Sequence, residues 1–375
     1  MFKNKKNAAP AAAGAEKPKK NVRARLLVAG VVVLLVAATV VVLLNTRLKG
    51  VGKVIDDEWK TPSYLSGKTM NILVCGVDTD ADRQNNPEAQ GSDATLNTDV
   101  ILLVNLDMEA DKATILQIPR DTYVGTNIVD YGKINGLYGR GYVDNVPAGY
   151  TKGLKGMAAL IETINYQFRL PVDNYVLVTM EGFRTAVDML GGVEVTLDKQ
   201  LKFDITGPDG ATVVDTVTLD PGTHTLNGEM AEVFVRYRDS NGDLGRMDVQ
   251  RYFMAALLNK ALTLSTGQLA SLVNAVMPYL ETDFTVSEMI SLGMEAKKYS
   301  MDSISTVSVP GEGVYPYTRW NLDVWSVHQQ ALADLLNKYM RPYSDDVPSE
   351  DLNVVEIRNT KDDYTYSSDS LSDYS

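Results

Sequence analysis

The sequence predicts the α/β class: a three-layer α/β/α sandwich around a central mixed sheet, carried behind a single N-terminal transmembrane helix. Three observations predict it. Residues 26–44, LLVAGVVVLLVAATVVVLL, are uncharged and almost wholly apolar. Three short apolar runs, NILVCGV (71–77), VILLVNL (100–106) and ATILQI (113–118), have the length and composition of strands. Segments with apolar residues at helical spacing then alternate with further strand-like runs, a pattern that a sheet covered by helices on both faces accommodates.

The first element is the apolar run. As a helix it spans about 29 Å, the thickness of a bilayer core. Before it lie Lys3, Lys5, Lys6, Lys17, Lys19, Lys20, Arg23 and Arg25 against one acid, Glu16. The positive-inside rule therefore expects a cytoplasmic N-terminus and places everything after residue 50 outside. The expected organisation is a basic cytoplasmic tail (1–25), a transmembrane helix (26–45), a juxtamembrane linker (46–69), an extracytoplasmic domain (70–341) and an acidic tail (342–375). The tail is expected to be disordered apart from a β-like LNVVEIRN.

Charge narrows the partners. Residues 1–49 carry ten Lys and Arg against one acid, which leaves 26 basic against 47 acidic residues after position 50, net −21. Such a domain repels polyanions, so nucleic acid is excluded as a partner and any anionic ligand needs a local arginine cluster. The lone Cys75 sits inside an apolar run and allows no intrachain disulfide. His224 and His328 are far apart, which weakens zinc and Ser-His-Asp chemistry.

Further along, GLKGMAALIETINYQF (153–168) reads as a helix and VDNYVLVTM (172–180) as a strand. EGFRTAVDMLGG is a helix stopped by glycine, followed by the strand VEVTL. NGEMAEVFV is a short helix and the segment from Gly245 a long amphipathic one. Helices are expected near 285–298 and 321–340, with a strand SISTVSV between them.

Charged residues mark the strand ends. Asp78 follows the first run, Asp99 precedes the second, and Pro119, Arg120 and Asp121 follow the third. The link DMEADK is too short for a crossover helix, so the second and third runs form an antiparallel hairpin with Asp99 and Arg120 at one edge. Asp78 joins them if the first run is antiparallel to the second and lies opposite if it is parallel. Converging carboxylates beside an arginine suit a hard divalent cation shared with phosphate oxygens; turn or cap aspartates are the alternative.

The stretch VRYRDSNGDLGRMDVQR (235–251) concentrates arginines. An extended segment puts Arg236 and Arg238 on one face. In the helix from Gly245, Arg246 and Gln250 lead into the face of Met254, Leu257, Leu258 and Ala261. Guanidinium forks suit phosphate oxygens; ion pairing with Asp239, Asp243 and Asp248 is the other reading.

In this order, NILVCGVD, NTDVILLV, ILQIPRDTYV, KINGLYGRG, MEGFRTAVDMLGGVEV, LNGEMAEVFVRYR and GDLGRMDVQR resemble the LytR-CpsA-Psr family over roughly residues 70–260. The resemblance implies an enzyme, a Mg²⁺-dependent (or Mn²⁺-dependent) phosphotransferase of the outer face of the cell membrane in a Gram-positive-type bacterium. It would move a glycopolymer of teichoic acid or capsular polysaccharide type from a polyprenyl diphosphate carrier to peptidoglycan, as a phosphodiester. Carried over residue by residue, it assigns the metal to Asp78 and Asp99 and the diphosphate to Arg120, Arg236, Arg238, Arg246 and Gln250, with Asp243 as a supporting acid. Asp99 or Asp121 are candidates for a base. The family usually carries arginine where this chain has Asn97 and Val249; Arg83 and Arg251 lie nearby in sequence. A non-catalytic protein that binds lipid-linked polymer or regulates the envelope, and a polyprenyl diphosphate hydrolase, are the competing readings.

Overall fold

The computed structural model describes residues 67–77, 96–206, 213–236, 243–285, 288, 292–293, 295–314, 323–357 and 368–370. The expected membrane segment lies outside them; among the described residues no helix is long and apolar enough to cross a membrane. Of the helix expected near 285–298, residues 286–287, 289–291 and 294 also fall outside; 288, 292–293 and 295–296 are helical.

Strands β1 (Thr69–Val77), β2 (Thr98–Asp107) and β3 (Lys112–Gln117) form an antiparallel meander. Alternate residues enter different cores. Ile72, Val74, Leu102, Val104 and Ile115 pack into a first core, whereas Leu73, Cys75, Ile101, Leu103 and Leu116 pack into a second on the opposite face. Burial on both faces is why these strands read as continuous apolar runs without polar alternation. It also explains Cys75, which is 1% exposed and whose thiol burial holds well above its ordinary pKa.

After β3 the chain packs Val124, Ile128, Val129 and Ile134 into the second core. The single turn α1 (Leu137–Arg140) and then α2 (Met157–Phe168) follow. Helix α2 begins four residues later than its apolar spacing predicts, because Gly156 adopts φ +69°. Strand β4 (Asn174–Thr179) lies parallel to β1 and leads into α3 (Met180–Met189), whose N-cap Thr179 accepts from the Gly182 amide. Strands β5 (Val193–Leu197), β6 (Leu201–Thr206), β7 (Val213–Leu219) and β8 (Gly222–Leu226) make two small antiparallel pairs, β5 with β8 and β6 with β7.

Helices α4 (Gly228–Arg236), α5 (Asp243–Leu262) and α6 (Thr266–Val276) join α3 over the first core. β9 (Leu280–Thr282) pairs with β4, and β10 (Ile304–Ser308) lies parallel to β3. A hairpin of β11 (Gly311–Val314) and β12 (Val324–Val327) precedes α7 (Gln329–Tyr339), and β13 (Ser368–Ser370) pairs with β10. The described strands of the main sheet run β13-β10-β3-β2-β1-β4-β9, a mixed sheet between two helical layers.

Three expectations need correction. Arg236 does not lie in an extended segment: it is the last residue of α4, because Ala231, Phe234 and Val235 bury at helical spacing. The helix expected over 321–340 begins only at Gln329; the β-branched Val324 and Val327 pair as a strand, and His328 adopts an extended N-cap geometry. The acidic segment after Arg341 does not leave the fold at once. Leu352 is 4% exposed, Val347 and Val354 pack against the second core, and Val347 exchanges two backbone bonds with the Asn337 amide. Arg341, 7% exposed, donates to the carbonyls of Phe168 and Arg169. Scattered apolar residues outweigh the acidic composition here, and the described part of LNVVEIRN, residues 352–357, docks without becoming a strand.

One polar pair in the meander fixes its register. Asn105 Nδ2, with its residue 2% exposed, donates to Asn71 Oδ1 at 2.8 Å and Thr69 Oγ1 at 2.9 Å. Asn105→Ala strands both acceptors, so unfolding by urea should show a loss of about 2 kcal/mol. Replacing Asn71 and Asn105 together by Leu should recover much of it.

Candidate active site

The geometry starts from a slip in the β1–β2 ladder. Gly76 pairs with Val100 and Val77 with Thr98, which leaves Asp99 without a partner on β1. A bulge of this kind re-aims a side chain. Because β1 runs antiparallel to β2, its C-terminal end lies at the Thr98 edge. This settles the alternative for the chain direction into Asp78, although Asp78 itself lies outside the described residues.

Arg120 Nη1 donates to Asp99 Oδ1 at 2.7 Å, joining β2 to the residue just beyond β3. Arg120 Nε lies 3.7 Å from Asp121 Oδ2, and Lys133 Nζ donates to Asp121 Oδ1 at 2.8 Å. The result is an alternating row, Asp99, Arg120, Asp121, Lys133. Two bonds to backbone carbonyls hold it: the Arg120 carbonyl accepts from the Asn135 amide, and Thr122 Oγ1 donates to the Pro119 carbonyl at 2.6 Å. With Asp99 43% and Arg120 23% exposed, the pair contributes about 1 kcal/mol or less to folding. Its charges are better matched to an external anion or cation than to stability.

A cavity of about 250 Å³ opens beside this row. Asn97, Arg120 and Asp121 line it, and so do Asp130, Tyr131 and Lys133 from the segment that leads into α1 and Arg140 at the end of α1. The Arg140 guanidinium sits 4.4 Å over the Tyr131 ring. Tyr131 has φ +69°, a left-handed conformation that costs a non-glycine residue about 1–2 kcal/mol. Helix α1 is seated against the strand edge, because Gly139 leaves no room for a Cβ beside the Leu96 carbonyl, 2.5 Å from that position. Tyr138 Oη donates to Glu281 Oε2 at 3.0 Å, and burial, with the Glu281 charge second, keeps that phenol far above its ordinary pKa.

From the first-core face, two helices bring an end toward the same edge. α3 sets out from Thr179, whose register partner Val77 lies there. α4 begins where the Gly228 amide donates to Asp188 Oδ1 in the last turn of α3 and runs back, so Arg236 returns toward the edge. α5 ends far from it: Leu262 lines a crevice with Leu106 and Ala113 at the opposite end of β2 and β3. Sixteen helical residues back, about 24 Å along the helix, lie the first turns, which hold Asp243, Arg246 and Gln250. The side chains of those three residues, and Arg238 as a whole, lie outside the described residues, as does Arg83. Val249 is partly buried against the first core, and Leu257, Leu258 and Ala261 are buried in it.

Arg236 has a partner that sequence reasoning missed. Glu232, with 11% of its side chain exposed, accepts from Arg184 Nη1 at 2.6 Å and forms an ion pair with Arg236, whose Nη2 lies 2.9 Å from its Oε1. The four-residue spacing of Glu232 and Arg236 was a usable signal once the segment is helical. Lys133, Tyr131 and Arg140 were also unassigned; KINGLYGRG displayed two of them, but only the fold turns them toward Arg120. Asp99 is the one candidate metal ligand described. Among the described residues no group of three or more His, Cys, Asp or Glu could hold an ion.

The LytR_cpsA_psr family model matches residues 40–341. A relative from Oceanobacillus iheyensis, named polyisoprenyl-teichoic acid–peptidoglycan teichoic acid transferase TagU, is 30% identical over 67% of this chain and 69% of its own length. Biofilm regulatory protein A of Streptococcus mutans is 30% identical over 66% of this chain and 57% of its own. The crystal structure of Bacillus subtilis TagV matches with a TM-score of 0.56 and 23% identity, over 77% of this chain and 99% of that one, a likeness that carries the fold alone.

The Glu232 clamp generates a test. Glu232→Ala leaves Arg184 and Arg236 facing each other without their shared acid, and chemical denaturation should show a loss of about 2 kcal/mol. Glu232→Gln, which keeps shape and an acceptor, should lose less.

Proposed function

The chain belongs to the LytR_cpsA_psr family, and from that premise we propose that it is a membrane-anchored phosphotransferase. It moves an anionic glycopolymer, of teichoic acid or capsular polysaccharide type, from a polyprenyl diphosphate carrier to a peptidoglycan hydroxyl. The observation that carries this reading is the Asp99–Arg120 contact at 2.7 Å, set at the sheet edge toward which α4 returns with Arg236. Names of relatives agree with it: the Oceanobacillus relative is named as a teichoic acid transferase.

In the proposed reaction the acceptor oxygen attacks the phosphorus that carries the glycan. The bond from that phosphorus to the bridging oxygen breaks, and polyprenyl monophosphate leaves. The demand on the protein is mainly positioning and charge neutralisation. Arg120 and Arg236 supply fixed positive charge, with Arg238, Arg246 and Gln250 as further diphosphate ligands and Asp243 as their supporting acid. Asp121 lines the cavity beside Arg120 and takes the acceptor proton.

The donor set at the edge fits a hard cation in part. Asp99 offers a half-exposed carboxylate, one oxygen of which accepts from Arg120, and Mg²⁺ commonly takes one or two carboxylates together with phosphate oxygens. Held by Asp99 and Asp78, Mg²⁺, or Mn²⁺ in its place, would offset diphosphate charge. The basic residues before the 26–44 run support a single span in the cell membrane, with a cytoplasmic N-terminus and the folded domain outside. One relative is named as a biofilm regulator, which keeps a non-catalytic binding role as the second reading.

Full-length protein in detergent, given polyprenyl diphosphate-linked glycan, Mg²⁺ and glycan-chain acceptor, should form a phosphodiester-linked product. Arg120→Ala should lower kcat/KM about a hundredfold or more, with little loss of stability; unchanged turnover would remove Arg120 from the site. Tight lipid binding without product favours the regulatory reading, and release of glycan phosphate to water favours hydrolysis. Chelation by EDTA should stop transfer and added Mg²⁺ should restore it.

A further inference from the structure

We infer that Glu281 is a positioning residue for the active edge: its bond to Tyr138 anchors the bracket of chain 134–140, and that bracket sets where Asp99 and Arg120 stand. The inference rests on the transfer reading above and deepens it by naming what fixes the geometry that phosphoryl transfer demands.

The bracket touches the backbone beside both members of the Asp99–Arg120 pair. At its start the Asn135 amide donates to the Arg120 carbonyl, and the Asn135 carbonyl accepts from Thr98 Oγ1 at 3.4 Å. One residue thus meets Arg120 and the neighbour of Asp99. At its end Gly139 abuts Leu96 so closely that a Cβ would lie 2.5 Å from the Leu96 carbonyl oxygen and 2.8 Å from its nitrogen. Leu96 leads through Asn97 into the bulge that aims Asp99. A displacement of α1 therefore reaches both charged groups.

So short a bracket does not hold itself. A 3₁₀ turn, Ile134–Gly136, and the single turn of α1 fall far below the length at which a helix is stable alone. Ile134 and Leu137 pin its inner side in the second core, and the Gly156 amide donates to the Tyr138 carbonyl. The tie to the far edge of the sheet is the Tyr138 hydroxyl, which donates to Glu281 Oε2 at 3.0 Å. In the order β2-β1-β4-β9 that acid stands three strand spacings from β2, about 14 Å.

The acid is not needed by its own strand. Thr282 Oγ1 donates to the Tyr175 carbonyl and Asp283 Oδ1 accepts from the Tyr175 amide, so β9 is already stapled to β4. Glu281 pairs with Leu177, and residues directly opposite in an antiparallel pair share a face; Leu177 belongs to the second core. Burial first, and the Glu281 charge second, hold the Tyr175 phenol and the Cys75 thiol far above their ordinary pKa values. A carboxylate over a core is unfavourable unless it is hydrogen-bonded. What it adds here is a charged, strong acceptor for Tyr138.

The test uses full-length protein, well below its melting temperature, with donor and acceptor concentrations varied separately. Glu281→Ala and Tyr138→Phe should each lower kcat for glycan transfer about tenfold or more, with both KM values within about twofold. The double variant should be no worse than either single one, as two groups acting through one bond require. Glu281→Gln, which keeps the acceptor, should stay near wild type. Asn105→Ala, destabilised toward the other end of β2, should keep its kcat, which separates misplacement from loss of stability. An unchanged kcat in Glu281→Ala, a loss that appears in KM instead, an equal fall in Asn105→Ala, or a Glu281→Gln as impaired as Glu281→Ala overturns the inference. If the wild type makes no product, the transfer reading fails, and hydrogen exchange then decides the inference. Glu281→Ala should speed exchange of the Asn135 amide, the donor to the Arg120 carbonyl, about tenfold; equal protection sinks it.

Discussion

Burial of β1, β2 and β3 on both faces is the constraint from which the rest follows. A strand with water on one side alternates polar and apolar residues; these strands cannot, because helices cover each face. Leu73, Leu103 and Leu116 serve one core while Ile72, Val104 and Ile115 serve the other. A shift of one residue would exchange the two sets, so the register is tightly specified, and Asn105 adds a polar lock within it. Charged groups have one place left to gather, the sheet's edge, and Asp99, Arg120 and Asp121 are found there.

That edge is where the two helical layers can act on one ligand from opposite sides. The first-core layer brings Arg236; the second-core layer brings Lys133, Tyr131 and Arg140. The division matches a two-substrate phosphoryl transfer, in which one partner is a lipid and the other a wall glycan. It also accounts for local positive charge in a strongly acidic domain, since long-range attraction cannot recruit an anion here. Recognition has to be short-range, through forks and fixed rings.

The ion pairs at the site differ in purpose. Asp99–Arg120 is partly exposed and contributes little to folding, so its groups can be re-paired by a ligand at small cost. The Glu232 clamp is more buried and joins α3 to α4. It holds Arg236 where it is before any ligand arrives, which reduces the ordering that binding would otherwise require.

Much of the architecture was legible from residues alone. The apolar runs of β1, β2 and β3 and the short link between the last two placed Asp99 beside Arg120, because a period-two strand with both faces buried and a tight turn permit few arrangements. The spacing from Gly245 onward made α5 and put Leu257, Leu258 and Ala261 inward. What the sequence could not decide depends on contacts between segments distant in the chain. The bulge at Asp99 arises from pairing with Gly76 and Val77 and has no local signature. Arg236 belongs to a helix because Phe234 and Val235 find a core built by other elements. Residues 342–357 read as solvated by composition, yet Leu352 finds a site on the second core. Arg140 lies twenty residues beyond Arg120, and only the path of the chain through Tyr131 and Lys133 puts them around one cavity. Sequence period determined which faces are buried; tertiary packing decided which ends meet, because a meeting of ends is set by long-range pairing that no local pattern encodes.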